Sequence, residues 1–261
     1  MEPALDPHTA RATLEWLLEM GCDEAIAERP LDRYALPDRM PGVASARKVA
    51  PTIAAADPDA PADPVAEAER AASSAQTLPA LRDALAAYPW CDLRLGAKSL
   101  VFADGRPEAR VMIIGEAPGR DEDRQGRPFV GAAGQLLDKM LAAIDLARDH
   151  SDAERAVYIN NILPWRPPSN RDPEPAEVAM MLPFLKRHIE LAAPDVLVLM
   201  GNHSCNALLG RRGITRLRGT WTEALGRPVL PMLHPAYLLR QPAAKRDAWS
   251  DLLSLGTRLD S

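Results

Sequence analysis

The sequence predicts an α/β protein, a three-layer α/β/α sandwich around a central, mainly parallel four-stranded sheet, preceded by a small helical, partly disordered N-terminal region. Three observations predict it. Short continuous apolar runs alternate with helical patterns across the C-terminal two thirds of the chain, which is the mark of βαβ crossovers and a sheet covered on both faces. The 261 residues, 47% of them hydrophobic and 26% charged, are enough for one full core. From 41 to 75 the composition turns to Ala, Pro and Asp, with too few large apolar side chains to fold. The expected organisation is a helical segment 1–40, a flexible linker 41–75 and a domain 76–261.

In chain order, Ala10, Leu14, Leu17 and Leu18 recur at helical spacing behind the start signals Asp6-Pro7-His8-Thr9. Val111-Met112-Ile113-Ile114 is a buried strand stopped by Gly115. Leu136, Leu137, Met140, Leu141 and Ile144 form the apolar stripe of a helix. Ala156-Val157-Tyr158-Ile159 is a second strand. A helix over about 174–191 follows, in which Pro183 implies a kink or a break. Asp195-Val196-Leu197-Val198-Leu199-Met200 is a third strand and Val229-Leu230-Pro231-Met232-Leu233 a fourth. Ala248, Leu252 and Leu255 mark a last helix after Pro242.

Charge and cysteine usage narrow the function classes. The net charge of −5 speaks, taken globally, against a partner as acidic as DNA. Residues 1–75, however, hold fourteen acidic side chains against seven basic ones, so the remainder is slightly basic. Between Cys205 and Ser250, eight Arg and Lys face only Glu223 and Asp247, the kind of footprint phosphate contacts leave, or simply a solvated charged face. Cys22, Cys91 and Cys205 are too few and too scattered for a disulfide scaffold or an all-cysteine metal site. No apolar run approaches the roughly 20 residues of a membrane helix, and Met1-Glu2-Pro3 lacks the basic start of a secretory signal.

In such a sheet, ligands bind beyond the carboxyl ends of the strands. After the first strand comes a glycine-rich loop from Gly115 to Gly131 containing Glu116, Ala117, Gly119 and Phe129. It matches neither a dinucleotide fingerprint nor a P-loop. Its glycines permit close backbone approach, with amides free to face an anion. Glu116 stands where a catalytic carboxylate faces a cleft, and Phe129 either stacks on a base or packs. After the second strand stand Asn160 and Asn161; a side-chain amide suits a pyrimidine edge, or closes a turn. After the fourth comes His234-Pro235-Ala236-Tyr237-Leu238-Leu239-Arg240, in which His234 can donate to a developing oxyanion and the leucines are candidate wedges for a DNA stack. A Glu, an Asn and a His at three strand ends converge on one cleft.

With these residues in place, the sequence resembles the uracil-DNA glycosylase superfamily, and within it family 4. The resemblance runs from about residue 85 to 255 and rests on three motifs. They are Gly115-Glu116-Ala117-Pro118-Gly119 with its continuation through Arg127-Pro128-Phe129-Val130-Gly131, Asn161 followed by Arg166-Pro167-Pro168, and the His234 to Arg240 segment. The resemblance implies a monofunctional glycosylase that flips uracil out of DNA and hydrolyses its N-glycosidic bond, leaving an abasic site. It implies that Glu116 orients or activates water, that Phe129 stacks on uracil beside Gly115 and Ala117, that Asn161 reads the base edge, and that His234 binds the oxygen gaining charge. DNA contacts would come from Gly119, Arg166, Arg216, Arg218, Tyr237, Leu238, Leu239 and Arg240. The implied partner is uracil-containing DNA, single- or double-stranded, with free uracil as product and no membrane partner. A monomer in the cytoplasm, at the nucleoid, is expected.

One departure matters. Family 4 uses four cysteine ligands for a [4Fe–4S] cluster, and here only Cys91 is Cys, the other positions being Arg94, Trp165 and, in the following helix, Met181. The expectation is no cluster, no metal and no other cofactor, with Trp165 and Met181 filling the space. A relative in the superfamily traps uracil covalently through a histidine placed after the second motif. Residues 166–177 contain no histidine, so turnover is expected. Two rivals from other classes are a non-catalytic binder of uracil or damaged DNA and a small-nucleotide-binding α/β module. The acidic N-terminal region matches none of the motifs.

Overall fold

A computed structural model describes residues 63–260 of the chain. The expected helical segment 1–40 and most of the expected linker lie outside the described residues. The end of that linker differs from expectation, because Pro64–Ser74 is a helix, α1. Asp63 caps it, accepting from the Val65 amide at 3.0 Å, and its small Ala68 and Ala72 are buried. An alanine-rich stretch that looks too poor in apolar bulk to fold has a partner here, since small side chains let α1 lie close on the long helix α6, Pro175–Ala192. Helices α2 (Leu78–Ala87) and α3 (Leu93–Gly96) follow.

The four expected strands are present as β2 (Val111–Gly115), β3 (Val157–Asn161), β4 (Val196–Met200) and β6 (Arg227–Met232), all mutually parallel. Two short antiparallel strands, β1 (Asp104–Gly105) and β5 (Thr222–Ala224), close the edges, so the sheet has six strands in the order β1-β3-β2-β4-β6-β5. Alternate residues of each strand face opposite layers. Met112, Ile114, Tyr158, Leu197 and Leu199 pack with α1, α2 and α6 on one side. Val111, Ile113, Val157, Ile159, Val198 and Leu230 pack with α5 (Ala132–Ala142), α9 (Pro235–Arg240) and α10 (Lys245–Leu259) on the other. Pro183 lies inside α6 without breaking it.

The chain leaves β2 toward β3 on one side and returns to β4 on the other, so the crevice at the carboxyl end of β2 is the switch point of the sheet. The register places Gly115 beside Asn161. Ile162 and Leu163 extend that ladder by donating to the Gly115 and Glu116 carbonyls. Three short helices complete the rim: α4 (Arg120–Gln125), α7 (Asn202–Leu209) and α8 (Ile214–Leu217). Among the described residues, no helix is long and apolar enough to cross a membrane.

Candidate active site

A cleft of about 560 Å³ opens at the carboxyl ends of β2, β3, β4 and β6, lined among others by Glu116, Phe129, Asn161, His203, His234 and Arg240. Gly115, buried at the end of β2, lies behind two of these side chains. A Cβ there would lie 2.5 and 2.6 Å from Phe129 Cε2 and Cζ, and closer still to Asn161 Oδ1. The bare Cα therefore lets an aromatic ring and a side-chain amide meet in one slot. Phe129 adopts a positive φ of 53°, a conformation that costs a non-glycine residue of order 1–3 kcal/mol. The surroundings enforce it. Arg148 Nη2 donates to the Phe129 carbonyl at 2.8 Å and Nη1 to that of Pro128 at 3.0 Å, while Asp104 and Asp138 hold the guanidinium. Gly134 on α5 leaves room for the Phe129 backbone, which an added Cβ would strike. Phe129 thus both packs into the core and lines the cleft.

His234 caps α9, its Nδ1 accepting from the Ala236 amide at 3.2 Å. A ring nitrogen that accepts leaves the proton of the neutral ring on Nε2, free to donate into the cleft. Burial, reinforced by the nearby Arg240 charge, pushes the His234 pKa down to about 4, so the ring is neutral at pH 7. It lies 5.4 Å from the Phe129 ring, tilted by 30°. Gly201, at φ 93°, follows β4, and a Cβ added to it would lie 3.3 Å from His234 Cβ.

Glu116, just beyond β2, is partly buried. Burial raises its carboxyl pKa, His203 pulls it back and Asp172 pushes it up again. His203 Nε2 lies 3.7 Å from Glu116 Oε2 and 3.6 Å from Asp172 Oδ2. Each of these three side chains offers one atom of a type that ligates metals, and an imidazole carrying a proton between two carboxylates satisfies the same arrangement. His203 and Asp172 were not singled out in the sequence, although His203 stands three residues past the end of the third apolar strand.

The loop between β2 and α5 differs from expectation in one respect. Three of its amides are not free for an outside anion, because the Glu122 carboxylate accepts from Gly119 at 3.1 Å, Val130 at 2.9 Å and Gly131 at 2.8 Å. The chain supplies its own anion, and Gly119 lines the cleft with its N–H already engaged. The expected DNA contacts also divide. Leu239 is 46% exposed while Leu238 is 1% exposed in the core, so Leu238 is no wedge without unfolding its helix. Tyr237 and Arg240 line the cleft, and Arg216 is exposed. Arg218 is instead bound to the carboxylate of Asp251, itself 1% exposed, and donates to the Asp247 carbonyl at 2.7 Å; that structural duty removes it from the phosphate contacts. Arg166 donates to Asn170 Oδ1 at 2.7 Å, outside the cleft lining.

The residues at the family's cluster positions do not fit an iron–sulfur cluster. Cys91 is buried and its thiol pKa is raised by burial. Trp165 and Met181 are buried in the same apolar cluster, and Arg94 is exposed. One thiol among four positions cannot supply the four thiolates that hold such a cluster.

Residues 102–253 match the model of the uracil DNA glycosylase superfamily. The type-4 uracil-DNA glycosylase of Archaeoglobus fulgidus is 39% identical over 175 residues, spanning 64% of this chain and 85% of that protein. That of Thermotoga maritima is 40% identical over 153 residues, 58% of this chain and 77% of the relative. A DNA polymerase of Bacillus phage SP01 is 33% identical over 156 residues, which make up 60% of this chain and 16% of that polymerase.

Proposed function

The chain belongs to the uracil-DNA glycosylase superfamily, and from that premise we propose that it hydrolyses the N-glycosidic bond of uracil in DNA, releasing free uracil and leaving an abasic site. The observation that carries the proposal is the meeting of Gly115, Phe129, Asn161 and His234 at the carboxyl ends of β2, β3 and β6. A planar pyrimidine fits such a slot. The Phe129 ring offers it a stacking face, with Gly115 and Ala117 behind. Asn161 can donate to one ring oxygen and accept from the adjacent ring N–H, a pair that uracil presents and cytosine does not.

Cleavage sends the bonding electrons into the base, so the leaving group is a uracil anion, and the sugar becomes oxocarbenium-like. The neutral His234, with Nε2–H facing the cleft, stabilises the charge growing on a uracil oxygen without first losing a proton. Glu116 orients and deprotonates the water that attacks the sugar carbon. The base must leave its stack first, at a few kcal/mol. The exposed Leu239 and Arg240 at the cleft edge enter the vacated space, and Arg216 with Tyr237 contributes to holding the strand. The same reading takes the protein as a monomer working without a metal or iron–sulfur cluster, cytoplasmic and at the nucleoid where its substrate lies. It releases its product, because no histidine occupies 166–177.

The test incubates the full chain with single- and double-stranded oligonucleotides bearing one uracil, followed by alkali and a denaturing gel beside a native one. Strand breaks at uracil are expected. A retarded native band with intact strands would make it a binder, and neither signal would leave a small-nucleotide module.

A further inference from the structure

Of the ionisable side chains in the cleft, most are accounted for. Glu122 is satisfied by three backbone amides. Arg171 is held by a two-pronged bond to Glu177 at 2.6 and 2.9 Å. His234 is a neutral helix cap, and Arg240 lies at the rim. His203 remains. It sits in the first turn of α7. Gly201 turns the chain at φ 93°, and Asn202 Oδ1 accepts from the Gly213 and Ile214 amides at 3.0 and 2.8 Å, tying the turn to the next loop. The imidazole that results stands between the carboxylates of Glu116 and Asp172, 3.7 and 3.6 Å away.

We propose that His203 is a positioning residue for the hydrolysis, its imidazole set between Glu116 and Asp172 so that Glu116 stays aimed and charged for the attacking water. The inference rests on the glycosylase reading for the identity of that water, but the triad itself is independent of it. Three elements meet at this point: the loop after β2 brings Glu116, the segment after β3 brings Asp172, and α7 brings His203. Glu116 is desolvated, which favours its neutral form; Asp172 adds to that, and His203 alone opposes it. The two neighbours therefore act on Glu116 with opposite sign. No net proton transfer through His203 is needed; the water's own proton goes to Glu116.

That opposition makes the test specific. The pH dependence of single-turnover uracil excision is measured for the full chain and for His203→Ala, His203→Lys and Asp172→Asn. His203→Ala should lower the rate at neutral pH by about tenfold, move the acid limb to higher pH and leave KM nearly unchanged. His203→Lys should return the limb toward its original position. Asp172→Asn should move it to lower pH. A residue that merely props the loop would give no shifts of opposite sign. His203→Ala and Asp172→Asn are also followed by carbon-detected NMR titration of the Glu116 carboxyl in the free protein, assigned with Glu116→Gln. This readout needs no activity, and the same opposite displacements are expected. Unshifted titrations in both variants overturn the proposal whether or not uracil is excised. Failure of the wild-type protein to excise uracil, with the displacements intact, would overturn the glycosylase reading alone. Loss of wild-type activity on chelation would also overturn the proposal, because the three side chains would then serve a metal ion.

Discussion

Substituting Gly115 by Ala tests the slot directly. The new Cβ would lie 2.5–2.6 Å from two carbons of the Phe129 ring, whereas carbon–carbon contacts are comfortable at about 3.5 Å. The ring must therefore retreat by about 1 Å, and the Asn161 amide with it. Phe129 has little freedom to do so, since its carbonyl is held by Arg148 and its backbone lies against Gly134. Overpacking of this kind costs about 1–3 kcal/mol of stability, and a reactive group misplaced by about 1 Å loses about 100-fold in rate. Single-turnover excision of uracil at a temperature well below the melting point separates the two effects. Gly96→Ala, where nothing lies within 4 Å of an added Cβ, is the control that should keep full rate. A Gly115→Ala protein that melts normally and excises at the wild-type rate would refute the slot.

Three further outcomes follow from the same structure. Leu239→Ala should weaken excision from duplex more than from single strands with no change in melting, while Leu238→Ala should cost about 2–5 kcal/mol of stability; thermal unfolding beside the gel assay separates them. Purified full-length protein should carry no stoichiometric iron by metal analysis and no broad visible absorbance, and a stoichiometric band would contradict the account of Cys91, Trp165 and Met181. Acid should destabilise the fold earlier than carboxylates alone would explain. Burial holds His188 at about 3 and His234 at about 4, below the ordinary 6.5, so between those values the unfolded chain binds protons that the folded one does not, and stability falls as pH falls. From pH 6.5 to 5 the loss is about 2 kcal/mol for His188 and less for the partly exposed His234. Urea midpoints at pH 7 and 5 measure it, and equal midpoints would contradict it.

The parallel core was legible because each of its strands is a short run of large apolar residues buried on both faces, a pattern that survives without any partner information. The two edge strands were not, since two or three residues such as Asp104–Gly105 carry no periodicity of their own. Helix α1 was hidden for a different reason. Its buried residues are alanines, whose contribution comes from letting α6 approach rather than from their own bulk. In the site, Glu116, Asn161 and His234 stood out because strand ends in a parallel sheet converge, whereas Phe129, deep in its loop, could from the residues alone equally have been packing. Leu238 and Leu239 could not be told apart from the sequence, because neighbours on a helix point about 100° apart and only the packing of α9 decides which faces inward. Glu122 looked like one acid in a polar run; that it folds back on three amides of its own loop depends on the loop's closure. Tyr158, Asn160 and His188 form a buried set, with Tyr158 Oη 2.8 Å from His188 Nε2 and Phe102 stacked on the imidazole, and no spacing rule announces such a contact across 30 residues.

The central claim is that uracil is hydrolysed from DNA and released. The most direct measurement is the intact mass of a uracil-containing oligonucleotide, and of the protein, after incubation together. The account predicts an oligonucleotide that has lost the base and gained a hydroxyl at the sugar, free uracil in solution, and a protein of unchanged mass. An unaltered oligonucleotide, or a protein carrying the oligonucleotide covalently, would contradict it.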